Sequence, residues 1–271
     1  MSTVAGTFAG LVLVAIALAL AALAARRGWD LDNVVVPVVS AAGDVLAVVG
    51  LLIGAQGAGI EPLTPVLAAL LVVVAALAVV SVRRSALDLL ATVVWESMPV
   101  LVLAALLDLV AGIAAEKRLE DFVTVEVLLI LLPGFLGGAG ALGGVLSSRL
   151  STRFHLGLIA PEPVPTAAAW SEATLVVTLS VPVFALRGAT AQMAAWFTGA
   201  SSPGMVDLIA VSVIGGLLAT LVVVAVGYYG TLVAVRFGLD PDTYGIPIVQ
   251  STLDVVGVFT LLLAAAAVGI V

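Results

Sequence analysis

One polar motif occurs twice in this chain of 271 residues, 210 positions apart, and each copy runs into an apolar stretch that contains an aspartate. The matched residues are Arg26, Gly28, Asp30, Asp32, Pro37 and Asp44 in the first copy, and Arg236, Gly238, Asp240, Asp242, Pro247 and Asp254 in the second. A carboxylate inside an apolar stretch is costly to leave in lipid unless it faces water, a partner or a cation. Paired polar elements of internal repeats often face one binding site in membrane proteins. The pattern predicts a cation path.

The composition places both aspartates in a membrane protein. Hydrophobic residues make up 63% of the chain and charged residues 10%, and the mean hydropathy of +1.31 is too high for a soluble domain. Apolar stretches of about 20 residues can cross a bilayer as helices, whereas the alternation of a membrane β-barrel does not occur. We therefore predict an all-α, multi-pass protein with about eight spans. These are residues 4–25, 34–55, 63–82, 88–115, 123–148, 168–187, 205–235 and 243–270.

Several functional classes are excluded by residues or motifs that the chain lacks. It has no cysteine, which excludes thiolate metal sites and cysteine nucleophiles. Its net charge of −7 gives no support for nucleic-acid binding. No HExxH, nucleophile elbow or Walker loop is present, and the intramembrane acids are isolated rather than convergent. We predict that the protein is not an enzyme, and that its partners are membrane lipid and divalent metal ions.

The basic residues predict how the spans are oriented. Lys117 and Arg118 lie on one side, together with Arg187, which we place near the end of the sixth span. The opposite side carries more basic residues, namely Arg26, Arg27, Arg83, Arg84, Arg149, Arg153 and Arg236. By the positive-inside rule the second side is cytoplasmic, so both termini lie outside the plasma membrane. The two copies of the motif then run in the same direction, as a parallel repeat.

The repeat is incomplete. Residues 88–271 contain one complete five-helix unit, whereas residues 1–56 contain only two spans, equivalent to its last two. Residues 57–87 form a linker helix, because a unit with an odd number of helices needs one extra crossing before a parallel copy can follow. The three missing helices would be supplied by a second copy, which predicts a homodimer, or by sequence upstream of the present start.

Three segments resemble the MgtE-type magnesium transporters, and are closest to the duplicated branch that includes animal solute carriers and small archaeal permeases. Residues 133–152, PGFLGGAGALGGVLSSRLST, followed by HLG at 155–157, are similar to the second helix of that family. Residues 251–257, STLDVVG, are similar to the fifth-helix motif whose aspartate lines the ion pore, and WESMP at 95–99 resembles the opening of the first helix. The resemblance covers the integral membrane domain only. It implies that Mg²⁺, as the transported ion, passes Asp254.

The family pattern is not matched everywhere. Many members carry an asparagine after the central glycine of the second helix and an acidic residue or glutamine shortly beyond it. This chain has Ala141 and Gly143 at those positions, so side-chain ligation is not expected there.

Asp254 and Asp44 are the predicted metal-binding residues, because each lies about eleven residues into its span, close to the midplane at 1.5 Å per residue. The alternative is a packing role in which each aspartate is hydrogen-bonded to a nearby serine or threonine. Secondary candidates are Glu96, Asp108 and Asp207, the last of which could instead cap a helix. The predicted pore-lining residues are Gly137, Gly140, Ala141, Gly144, Ser251, Pro247 and Pro37.

Two features of this predicted path have alternative interpretations. The glycines at 137–144 permit close helix packing, or an unwound backbone whose carbonyl groups face a pore. Pro247 and Pro37 free a helix carbonyl, or simply begin a helix after a loop. Away from the path, Glu126 and Glu172 are predicted to be solvated at span ends. The single histidine, His155, is predicted to be structural or interfacial, because one histidine cannot make a zinc site.

These features predict transport of a divalent cation, most simply Mg²⁺, down its electrochemical gradient. The first alternative is a secondary transporter that exchanges a cation for H⁺ or Na⁺. The second is a membrane subunit that accompanies a transporter without moving ions itself.

Overall fold

The structure is a computed structural model that describes residues 2–29 and 88–271, with scattered positions between residues 34 and 80. The regular elements with defined bounds in these ranges are all helices. They are α1 (Ser2–Arg27), α2 (Asp88–Lys117), α3 (Leu119–Thr124), α4 (Val127–His155), α5 (Ala167–Thr198), α6 (Met205–Arg236) and α7 (Pro241–Val268). The chain divides into two compact units, Met1–Pro99 and Val100–Val271.

Six of the described helices are long and apolar enough to cross a membrane, namely α1, α2, α4, α5, α6 and α7. A helix satisfies its backbone hydrogen bonds internally, which is required where no water is present. The predicted all-α, multi-pass class is therefore confirmed. The predicted spans at 34–55 and 63–82 lie largely outside the described residues, as do Asp44 and Pro37.

The predicted bounds of two spans differ from those of the helices. The fifth span was expected at 123–148, but the chain forms the short α3 first and then continues α4 to His155. The sixth span was expected to end at 187, but α5 continues to Thr198. It ends at Gly199, whose left-handed φ of 73° turns the chain while its N–H donates to the Ala195 carbonyl.

The longer α5 changes the position of one basic residue. Arg187 lies inside this helix and not near its end. The polar residues that follow it lower the local hydropathy without ending the helix. One of them, Gln192, is buried and accepts a hydrogen bond from Ser202.

Helices α4 to α7 pack as a bundle in the second unit. Helices α4 and α6 contact each other, and each also contacts α5 and α7. Phe135 on α4 and Phe184 on α5 meet in the core with ring centroids 5.0 Å apart. Close approach of α6 depends on Gly216, because a Cβ there would lie 2.1 Å from the Phe184 ring. The bundle core is thus closed by aromatic rings packed on glycine.

Polar contacts mark the two ends of the bundle. At one end, Glu172 is paired with arginines of α4, and we name this the Glu172 end. At the other, the Glu126 N–H donates to Ser201 Oγ at 3.1 Å and the Ser201 N–H donates to Glu126 Oε2 at 2.9 Å. We name this the Ser201 end. It joins the start of α4 to the loop that follows α5.

The two copies of the polar motif begin with the same turn. Gly28 follows α1 with a φ of 65°, and Gly238 follows α6 with a φ of 67°. The Trp29 N–H donates to the Ala24 carbonyl at 3.0 Å, and the Leu239 N–H donates to the Ala234 carbonyl at 2.9 Å. Both are the bond that closes a Schellman-type helix end. The sequence repeat therefore coincides with a repeated backbone conformation at these positions.

Candidate functional site

Glycines bring α4 and α7 into close contact. A Cβ on Gly143 would lie 2.5 Å from Cγ1 of Val249, and one on Gly257 would lie 2.4 Å from Cδ2 of Leu136. Real Cβ atoms do not approach other atoms so closely, so a larger residue at either point would force the Val249 or Leu136 side chain to shift. Because residue 143 meets 249 while 136 meets 257, the two helices run in opposite directions.

Asp254 lies on α7 between two of these contacts. Gln250, one turn earlier, faces Gly140, since a Cβ there would lie 3.5 Å from its Cγ. Gly257, almost one turn later, faces Leu136. Asp254 is therefore level with residues 136–140 of α4, far from either end of α7. Its side chain is half-buried, and it makes an interaction within the protein.

The glycine-rich segment is helical throughout. Residues 127–155 form one continuous helix, so the carbonyl groups of 137–144 accept helical hydrogen bonds. Gly137, Gly140 and Gly144 are buried and Ala141 is half-buried. This geometry favours the close-packing interpretation over an unwound backbone.

The other predicted path residues of α7 lie inside the helix. Ser251 is buried, with 5% of its surface exposed. Pro247 is half-buried in the helix interior, because α7 already begins at Pro241. A proline at this position leaves the Thr243 carbonyl without its usual helical donor.

The secondary candidates do not gather around Asp254. Asp108 is exposed on α2, and Asp207 is exposed in the first turn of α6. The N-cap residue of that helix is Gly204 and not Asp207, and no side chain makes a capping hydrogen bond there. The backbone of Glu96 lies in α2, and its side chain is outside the described part of the structure. Among the described residues, no three His, Cys, Asp or Glu side chains form a metal-binding group.

A buried serine adds a polar position that the sequence interpretation did not single out. Ser147 on α4 is fully buried, and its Oγ has no hydrogen-bond partner in the described structure. A Cβ on Gly245 of α7 would lie 3.5 Å from Thr231 Oγ1 and 4.0 Å from Ser147 Oγ. Two hydroxyl groups therefore converge near Gly245, toward the Glu172 end. The available signal in the sequence was the Ser147-Ser148 pair, which follows shortly after the glycine-rich segment.

A buried ion cluster was also missed. Glu172, expected to be solvated, is only 2% exposed. It accepts a hydrogen bond from Arg149 Nε at 2.5 Å and is also paired with Arg153. The sequence signal was the spacing of Arg149 and Arg153 on α4, because residues four apart share one face of a helix. His155 lies at the end of α4, where its Nδ1 is 2.9 Å from the Ser151 carbonyl oxygen.

Arg187 is a second unexpected charge, located where α5 crosses α4 nearer the Ser201 end. Cβ atoms placed on Gly134 and Gly138 would lie 3.3 Å from its Nη1 and 3.5 Å from its Nε. The guanidinium group therefore lies along two glycines of α4. It is half-buried.

Comparison with known proteins concerns the same segment that contains these features. Residues 132–264 match the family model of MgtE, the divalent cation transporter. No curated protein and no solved structure matches the chain. The match begins next to Pro133 and ends beyond Asp254, so it covers α5, α6 and most of α4 and α7. Residues 132–264 of this multi-pass membrane protein are thus similar to MgtE, a family of divalent cation transporters.

Proposed function

We propose that this protein moves Mg²⁺ across the plasma membrane along a path beside Asp254. One observation carries the proposal. A half-buried carboxylate lies deep within a membrane-spanning helix, inside the segment that matches a divalent cation transporter family. Placing a charged acid within the bilayer costs free energy, so an acid in such a position is a functional candidate.

The chemistry of the ion fits a single carboxylate. Mg²⁺ releases its waters reluctantly and is usually held by one or two carboxylates while several waters remain bound. Asp254 supplies the charge that concentrates the hydrated ion. Gln250, one turn away, adds an amide that can hydrogen-bond to a bound water. Ser251 is placed beside them on α7 and is the remaining polar candidate of this helix.

Hydroxyl groups support a continuation toward the Glu172 end. Ser147 Oγ is buried and lacks a partner in the described structure, and Thr231 Oγ1 lies near the same point of α7. Buried hydroxyls without partners are rare in proteins, because each costs free energy. A hydrated cation that passes this point would satisfy the Ser147 hydroxyl through its waters.

The membrane potential is sufficient to drive influx. An inside-negative potential contributes about 2.3 kcal/mol per charge per 100 mV, and a divalent ion carries two charges. The proposal therefore needs no coupling ion. It places both termini outside, in agreement with the basic residues at the Glu172 end facing the cytoplasm.

Asp44 is proposed as the counterpart of Asp254 in the partial repeat, seven residues after Pro37. The partial repeat contains two predicted spans where the complete unit contains five, so we propose that two copies of the chain assemble into the working transporter. Asp254 belongs to the complete unit and is the primary ion-binding residue.

The test is Mg²⁺ entry into liposomes that contain the purified protein, for the wild type, Asp254→Asn and Asp44→Asn. Loss of about 1.4 kcal/mol of attraction lowers ion occupancy about tenfold, so we expect Asp254→Asn to reduce entry by about that factor or more. Glu162→Gln, in the exposed loop between α4 and α5, is the matched control and should transport normally.

Three outcomes would count against the proposal. Normal Mg²⁺ entry by folded Asp254→Asn would remove this residue from the path. Entry that requires an imposed H⁺ or Na⁺ gradient would indicate an exchanger. A wild-type protein that moves no divalent cation would indicate an accessory subunit.

A further inference from the structure

Two charged side chains within spans have no partner in the described structure. The Arg187 guanidinium and the Asp108 carboxylate make no hydrogen bond or ion pair with any described residue. Arg187 is half-buried on α5, and Asp108 is exposed on α2. Lipid can cover the exposed apolar residues around them, but it offers no group of opposite charge within the hydrocarbon. The two unpaired charges therefore need an explanation, whereas the exposed apolar residues do not.

The two charges lie at similar depth. Asp108 is nine residues before the end of α2 at Lys117, and Arg187 is eleven residues before the end of α5 at Thr198. At 1.5 Å per residue these distances are about 14 and 17 Å. Both helices finish at the Ser201 end, since α2 leads through α3 into the start of α4 and Thr198 is three residues before Ser201. The two groups thus occupy the same layer of the membrane.

We propose that Asp108 of one copy of the chain forms an ion pair with Arg187 of a second copy. A twofold dimer would form this contact twice, because each copy presents both charges. The proposal names the contact within the two-copy assembly proposed above, but it does not depend on transport.

The surroundings of Arg187 suit a contact from outside the chain. The guanidinium lies along Gly134 and Gly138 of α4, where no side chain of that helix covers it. Pro133 beside it is exposed, and Leu186 is 65% exposed. A planar guanidinium in this position can receive a carboxylate by two parallel hydrogen bonds. The exposed Asp108 is a carboxylate at the required depth.

Disulfide cross-linking tests the contact directly, because the chain contains no cysteine of its own. Gly112 and Thr190 are exposed and lie about one turn beyond Asp108 and Arg187, toward the Ser201 end. Two differently tagged copies would be co-expressed in membranes, one carrying Gly112→Cys and the other Thr190→Cys. We expect oxidation to produce a disulfide-linked dimer that carries both tags.

Matched controls define the outcomes. Leu175→Cys is exposed on the same helix but about 18 Å deeper than Arg187, so it should not cross-link with Gly112→Cys. Both cysteines placed in one chain should still give a dimer. A disulfide confined to single chains, or no cross-link in protein that elutes normally on size exclusion, would overturn the proposal.

Charge exchange separates the ion pair from mere proximity. Arg187→Asp should reduce cross-linking between the Gly112→Cys and Thr190→Cys copies by at least about tenfold, because two carboxylates then face each other in lipid. Adding Asp108→Arg to both copies should restore it. Failure of the double exchange to restore cross-linking, when the single change abolishes it, would overturn the ion pair. If the chain cross-links as expected but the wild-type protein moves no Mg²⁺, only the transport proposal would be contradicted.

Discussion

Helices α4 and α5 meet through arginine at two places, and the two places differ in what satisfies the charge. At the Glu172 end, Arg149 and Arg153 share one buried carboxylate within the chain. Nearer the Ser201 end, Arg187 lies on two glycines and has no partner among the described residues. The first contact can hold the two helices together by itself. In the proposed assembly, Asp108 of another copy supplies the negative charge at the second.

The largest expected effect comes from removing the shared carboxylate. Glu172→Gln leaves two arginines without a counter-charge, and breaking a buried ion pair from one side typically costs about 3–5 kcal/mol. We expect this variant to unfold at a clearly lower SDS concentration than the wild type, in a titration monitored by tryptophan fluorescence. Glu162→Gln, an exposed acid ten residues earlier, should unfold like the wild type. Equal stability of the two variants would show that the ion cluster contributes nothing.

An intermediate loss of stability is expected when Gly188, the residue after Arg187, is replaced. A Cβ on Gly188 would lie 2.9 Å from Ile209 Cα and 3.0 Å from the Leu208 carbonyl oxygen, which are backbone atoms of α6. Gly188→Ala must therefore move a helix, and overpacking of this kind costs about 1–3 kcal/mol.

Gly138→Ala is the matched control, because its Cβ would meet only side chains at 3.5 Å or more. Its stability should change by less than about 1 kcal/mol, since alanine is also the better helix former. Equal losses in the two variants, measured by the same SDS titration, would mean that close packing does not hold this part of α5.

The smallest effect should come from the arginines at the Glu172 end, taken singly. Arg153 is the more exposed of the two, with 33% of its side chain accessible against 26% for Arg149. Solvent screens such a charge, and Glu172 would keep one partner, so Arg153→Gln should cost about 1 kcal/mol. Replacing both arginines should cost more than the sum of the single changes. Additive losses would argue against a shared site.

Composition was sufficient to predict the helices but not which charges meet. The apolar stretches indicated every described span, because a chain in lipid must form helices to satisfy its backbone. Glu172 was predicted to be solvated because the sequence does not show that Arg149 and Arg153 approach it from a different helix. Arg187 was assigned to a span end because charge lowers local hydropathy, whereas its helix continues to Thr198.

The residues of the proposed ion path differ in the same way. Asp254 was recognisable from one sequence, because an acid within an apolar helix is conspicuous at any register. The buried Ser147 hydroxyl was not, because serine is common in membrane helices and its unmet hydrogen bond depends on Gly245 and Thr231 of other helices. The sequence gives the spacing of residues along one helix. It does not show which residue of another helix will be the partner of a buried polar group.

The ion cluster at the Glu172 end also bears on how the protein is made. Its members lie on consecutive helices, separated by 19 to 23 residues, so they leave the ribosome within seconds of each other at about 5–20 residues per second. The acid of α5 can then be neutralised by arginines already synthesised, before α6 and α7 exist. Insertion of α4 and α5 as a hairpin would spare the translocation machinery from releasing an unpaired carboxylate into lipid.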